Sequence, residues 1–298
     1  MNERPLILVS NDDGHSAEGI RALVAALEEL AEVVVVAPAW EQSAASHAIS
    51  IHRPLRLREV RARWYAVDGT PTDCSWLAIH HVLRGRRPVL MASGINHGPN
   101  LADDVTYSGT VAAAMEASIF GVPAVAFSLA GRGGFDFAPA ARFARSLVAA
   151  ALARPLPPRL LLNVNVPAGV EPAGYAVTRL GKYSYGSDVV EKTDPRGRKY
   201  YWIGGNEYQH EDIPGSDCNV VLRERRVSVT PLMLDLTDDT MLRELQRGTL
   251  DGCERGGARD AFWYGPMSSV CSSTWPSIAA RTSALVPAPR SGSSASSA

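Results

Sequence analysis

The chain has 298 residues, 46% of them hydrophobic, with 30 Lys and Arg against 31 Asp and Glu for a formal net charge of −1. That is enough chain for one large or two modest domains with a buried core. The balanced charge excludes the clustered basic face that grips a nucleic-acid duplex, and no apolar run approaches the ~20 residues of a membrane span.

Residues 6–9, Leu-Ile-Leu-Val, read as a buried strand. Residues 16–30 follow with helical periodicity, placing Ile20, Leu23, Val24, Leu27 and Leu30 on one face. Residues 33–37 are all apolar and closed by Pro38, so the first unit is a right-handed parallel crossover. Residues 49–60 and 64–67 read as shorter, more polar strands on an antiparallel flap. Thr70-Pro71-Thr72-Asp73 starts a helix, with a capping Thr, Pro at the first position and an acid in the first turn, and that helix runs to about Leu83. An apolar strand over 88–92 leads into Ser93-Gly94-Ile95-Asn96-His97-Gly98-Pro99-Asn100, a helix covers 110–120, and 124–129 is again apolar strand. Repeated strand–helix–strand units with continuously apolar strands specify an α/β fold, a Rossmann-like three-layer αβα sandwich on a mostly parallel sheet.

Past Gly131-Arg132-Gly133-Gly134 the pattern changes. A helix near 139–153 and a strand at 160–166 precede residues 174–231, where short strands (175–180, 200–203, 227–230) alternate with charged, Gly-rich sequence suited to an arm that embraces another subunit. The expected division is a catalytic core over 1–130, a part over 131–247 that completes it and carries a β-rich oligomerisation arm, and a low-complexity, partly disordered tail over 248–298. Cys74, Cys218, Cys253 and Cys271 are scattered without a Cys-x-x-Cys pair, which indicates neither zinc site nor disulfide framework. The start, Met-Asn-Glu-Arg-Pro, lacks the makings of a signal peptide, and a reduced, cytoplasmic setting is expected.

The chemistry gathers where strands end. Asn11-Asp12-Asp13-Gly14 follows the first strand, and two adjacent carboxylates repel unless a cation lies between them. Mg²⁺, Mn²⁺ and Ca²⁺ favour such oxygens. Ser43 and Asn96, in loops after neighbouring strands, supply neutral oxygens to the same metal shell. Ser108-Gly109-Thr110 opens a helix and offers a preformed anion site suited to phosphate. Each element alone reads as an ordinary turn or cap, and His47 and His97 read as hydrogen-bonded loop residues. Their coincidence on successive strands favours a site.

Ser10-Asn11-Asp12-Asp13-Gly14, Val36-Ala37-Pro38, Ser43-x-x-Ser46-His47, Asp68 to Cys74, Ser93 to Asn100 and Tyr107-Ser108-Gly109-Thr110 resemble, in order and spacing, the SurE family of stationary-phase survival nucleotidases. Leu162 to Pro167, Thr193 to Gly197 and Val227 to Leu232 extend the resemblance to about residue 245. It implies a metal-dependent phosphomonoesterase acting on nucleoside 5′-monophosphates and often 3′-monophosphates, some members also trimming short polyphosphate. It implies one Mg²⁺ or Mn²⁺ per subunit on Asp12, Asp13, Ser43 and Asn96 and phosphate contacts at Asn96, Ser108, Gly109 and Thr110; direct hydrolysis is the expected mechanism, with Asp12 or Asp13 as the candidate proton acceptor. It also implies a homodimer or homotetramer built through an exchanged C-terminal arm. The chain departs from the family at His15-Ser16-Ala17-Glu18, which flanks the acid pair, and at Met233, where many members have His. Rival readings are a catalytically weak nucleotide-binding or sensing protein and a dinucleotide-dependent Rossmann enzyme. The latter is disfavoured because acids replace its Gly-x-Gly-x-x-Gly turn. A haloacid-dehalogenase-type phosphatase would need Asp-x-Asp, a spacing this turn lacks.

Overall fold

The computed structural model describes residues 4–131, 133–184, 189–203 and 209–249, so nearly all of the expected tail lies outside the described residues. In chain order the core runs β1 (Leu6–Ser10), α1 (Glu18–Glu28), β2 (Glu32–Pro38), β3 (Leu57–Arg61), β4 (Trp64–Val67), α2 (Pro71–Leu77), β5 (Leu90–His97), α3 (Gly109–Ile119), β6 (Ala124–Ala130), α4 (Ala138–Ala153), β7 (Leu161–Pro167) and β8 (Tyr175–Val177). After β9 (Tyr183–Ser184), β10 (Val189–Thr193), β11 (Lys199–Ile203) and β12 (Gln209–His210), the chain returns as β13 (Val227–Leu232). The main sheet has the order β3-β4-β2-β1-β5-β6-β7-β13-β8, and β4 through β7 in that order are mutually parallel. The expected α/β sandwich is therefore present, with β3 and β13 as antiparallel additions.

Alternation along each strand divides the core into two layers. Ile7, Val9, Val33 and Val35 pack under α1 and α4, which bury Ile20, Leu23, Leu27, Ala144 and Val148. Leu6, Leu8, Val34, Val36 and Met91 face the other way, against α2 and α3. Strands buried on both faces explain the continuous apolar runs of the sequence.

Two elements differ from the sequence reading. The expected antiparallel pairing is present between β3 and β4, but it is not a separate flap: β4 also joins the main sheet parallel to β2, burying Trp64, Ala66 and Val67, and β3 forms the sheet's edge. Residues 49–56 are instead non-strand, tethered by Ser50 N donating to Asp73 Oδ1 (2.8 Å) and Arg56 N to Asp68 Oδ1 (2.7 Å). Likewise β5 does not stop at Ala92 but continues to His97 after its pairing with β6 skips between Ser93 and Asn96. Gly94 permits this: its φ is +125°, and a Cβ there would lie 2.2 Å from the Phe127 carbonyl oxygen. α2 also gives way early, at Ala78, to a wider turn over Ala78–Val82.

The segment after β5 is pinned by buried amides. Asn100 N donates to Asn165 Oδ1 (2.8 Å), its Nδ2 to Ser128 Oγ (2.7 Å), and its carbonyl accepts from Asn163 and Asn165. The two asparagines of Asn163-Val164-Asn165, on one face of β7, thus clamp the end of the β5 loop. β10 and β11 form a separate antiparallel hairpin whose Val189, Val190, Tyr201, Trp202 and Ile203 are exposed. The described residues from Thr237 to Thr249 belong to a second unit and include α5 (Asp239–Glu244), which Asp238 caps by accepting from Thr240 N and Met241 N. No helix among the described residues is long and apolar enough to cross a membrane.

Candidate active site

β1 lies between β2 and β5, so the chain's connections diverge on either side of it. Ligands bind at such a switch point, outside the carboxyl ends of the strands. β1 delivers Asn11, Asp12 and Asp13 there. The turn is closed by Asn11 Nδ2 donating to the Gly14 carbonyl (2.9 Å), with Gly14 at φ +97°. Asp12 is only 4% exposed, and its Oδ1 accepts a hydrogen bond from Thr110 Oγ1. Asp13 Oδ2 accepts from the backbone N–H of His97 (3.3 Å). The backbone carbonyl of Asp12 accepts from Gln42 N (2.7 Å), which brings the Ser43 loop alongside.

Ser43 Oγ donates to Glu41 Oε1 (2.7 Å). Asn96 Nδ2 donates to the Gly98 carbonyl (3.0 Å), and its Oδ1 lies 3.4 Å from Thr110 Oγ1. Ser108 Oγ caps α3 by accepting from Val111 N (3.1 Å), which leaves its hydroxyl hydrogen available. Gly109 lets the helix start close to the acid turn, since a Cβ there would lie 2.8 Å from Asp12 Cβ and 3.0 Å from Pro71 Cγ. A cleft of about 540 Å³ is lined by Asp12, Asp13, Ser43, Asn96 and Ser108 of the expected residues. Gly109 and Thr110 are buried behind that wall, where Thr110 supports Asp12.

The cleft is acidic. Glu41 and Asp104 also line it, and no Lys or Arg among the described residues does. Burial pushes the Asp12 carboxyl up to about 6; the Thr110 hydrogen bond opposes that shift and the Asp13 charge adds to it. A buried Asp12 beside a half-buried Asp13, in a cleft with no Lys or Arg among its described lining, fits a bound cation. Among the described residues no group of three or more His, Cys, Asp or Glu is arranged as a metal cluster, so the shell would be two carboxylates plus the neutral oxygens of Ser43 and Asn96. Such a donor set suits a hard divalent ion better than zinc or copper.

Two histidines do more than close loops. His97 Nδ1 lies 2.9 Å from Asp13 Oδ2, near enough for an ion pair though not aligned as a hydrogen bond, and its ring is held edge-on by Phe135 and Phe137. His47 Nε2 is 2.7 Å from Glu116 Oε2 on α3. Glu116 was not singled out in sequence, though an acid inside Val-Ala-Ala-Ala-Met-Glu-Ala-Ser is the available signal. Tyr107, 59% exposed, stands on the cleft rim. His80 packs between the rings of Trp76 and Phe120.

Comparison with known proteins places the chain in a family. The family model described as Survival protein SurE matches residues 7–187. A protein of Myxococcus xanthus named 5′-nucleotidase SurE is 68% identical over 254 residues, covering 85% of this chain and 97% of the relative. A Geobacter sulfurreducens protein of the same name is 52% identical over 250 residues, covering 83% and 95%. The crystal structure of the SurE protein from Aquifex aeolicus superposes with a TM-score of 0.72 at 40% identity, covering 82% of this chain and 99% of that one. The motifs, the sheet order and the acid turn at its switch point, together with these matches, make this chain a member of the SurE family.

Proposed function

We propose that the protein is a metal-dependent phosphomonoesterase that hydrolyses nucleoside 5′-monophosphates, and 3′-monophosphates as well, to nucleoside and phosphate. The observation that carries this reading is the buried Asp12 beside Asp13, raised to about 6 in a cleft without Lys or Arg. Relatives named 5′-nucleotidase support the substrate class.

Asp12, Asp13, Ser43 and Asn96 would hold one Mg²⁺ or Mn²⁺. Bound there, a divalent cation supplies charge neutralisation, polarisation of a phosphoryl oxygen and a water of lowered pKa. The chain's own groups bind and orient the phosphate. The Ser108 hydroxyl, on the cleft wall, donates to a phosphoryl oxygen, and the positive N-terminal end of α3 behind it favours the anion. Asn96 borders both the metal and the phosphate, and Asp12 or Asp13 accepts a proton from the attacking water. Donors fixed before the reaction need no reorganisation as charge moves onto the equatorial oxygens. The exposed ring of Tyr107 offers a face on which a nucleobase can stack.

The same reading includes a homo-oligomer. A lone two-stranded hairpin is marginal in water, and β10–β11 exposes large apolar side chains that a second copy would cover. A reduced cytoplasmic setting fits Cys74 and Cys218, which are free and buried.

The test is phosphate release from a panel of 5′- and 3′-nucleoside monophosphates with Mg²⁺, Mn²⁺ or EDTA. Release that needs the metal and stops with EDTA is expected. Folded, metal-loaded protein that releases no phosphate from any member of the panel would overturn the assignment.

A further inference from the structure

Ser43 sits in a loop that does not hold its own shape. Residues 39–56 contain no helix or strand, and Ala44 and Ser46, on either side of the turn after Ser43, have φ of 58° and 54°. Non-glycine residues avoid that left-handed region, so tertiary contacts must impose it. Ser46 is tied by its backbone N–H to the Tyr107 carbonyl (3.0 Å) and by its hydroxyl to the Thr106 carbonyl (2.7 Å). The next residue, His47, reaches α3: its Nε2 lies 2.7 Å from Oε2 of Glu116, a carboxylate only 5% exposed. A buried carboxylate is costly unless paired, so Glu116 holds its partner tightly. The helix that carries Glu116 also carries Thr110, whose hydroxyl is on Asp12.

We propose that the His47–Glu116 pair is a positioning latch that fixes the Ser43 loop against α3 and so sets the fourth side of the metal site. Neither residue touches the metal; they act through the loop. The proposal rests on the metal-site reading given above. Outer partners that orient metal ligands typically contribute roughly 10–100-fold in metal affinity.

The test titrates Mn²⁺ by calorimetry into the full chain as wild type, His47→Ala, His47→Gln and the double variant His47→Leu/Glu116→Met, with folding verified by circular dichroism. The double variant removes both polar partners and so avoids stranding a buried carboxylate. Mn²⁺ affinity is expected to fall roughly 10–100-fold in His47→Ala and in the double variant. It should stay near wild type in His47→Gln, whose amide N–H can still donate to Glu116. Phosphate-releasing activity should fall at limiting Mn²⁺ and recover at saturating Mn²⁺, a split that a general loss of stability would not produce. A folded double variant with wild-type Mn²⁺ affinity overturns the latch alone. A wild-type chain that takes up no Mn²⁺ overturns the metal-site reading and the latch with it.

Discussion

Asp12 is held in a position that opposes its own charge. Burial and the neighbouring Asp13 raise its pKa from 3.8 to about 6, and the Thr110 hydrogen bond only partly offsets this. The metal-free fold therefore holds this carboxyl protonated to a higher pH than the unfolded chain does. The stability this group contributes is present below about pH 3.8 and is lost as pH rises through about 6, on the order of 2–3 kcal/mol by linkage. Metal-free protein is expected to resist urea better near pH 5 than near pH 7, and Asp12→Asn should shrink that difference. An undiminished difference in the variant would assign the pH dependence to another group. Saturating Mn²⁺ should oppose the trend, because metal and proton compete for the carboxylate. Asp12, Asp13 and Asn96 were legible in sequence because each lies in a contiguous run at a strand end. His97 and His47 were seen but read as loop residues, since their partners Asp13 and Glu116 lie 84 and 69 residues away. No local pattern encodes such contacts.

Among the elements, those with strong periodicity were readable: β1, α1, β2, α3, β6 and α4 fall within a residue or two of their expected bounds. The misreadings occurred where tertiary pairing overrode local composition. β4 pairs with β3 as a hairpin partner, yet Trp64 and Val67 are buried because β4 also lies beside β2 in the main sheet. The strand continuation to His97 was hidden by Gly94 and Gly98, which read as loop residues although Gly94 serves a skipped register. The β10–β11 hairpin shows the reverse case: it is well paired internally but leaves Trp202 63% and Ile203 92% exposed. Introducing charge there, as Trp202→Asp/Ile203→Asp, should lower the mass seen by light scattering toward the 31.9 kDa of one chain. Unchanged assembly in the variant would mean that this hairpin is not the contact between copies.

At the scale of the whole molecule, the sheet order explains why residues distant in sequence can meet. With β1 between β2 and β5, the loops after all three strands open into one crevice. The alternation of strands and helices made this crevice predictable, because parallel strands put their carboxyl ends on one edge. Its charge balance was less readable: Glu41 and Asp104 deepen the acidity of the cleft, and only the folded chain brings them beside Asp12 and Asp13. The central claim is that this crevice is a divalent-metal site built on the acid pair. Mn²⁺ titrated into wild type and Asp13→Asn by calorimetry tests it most directly. One ion per chain is expected for wild type, with affinity reduced by more than about 100-fold in the variant, since loss of a ligand should exceed loss of an outer partner. Equal uptake by the two folded proteins would contradict it.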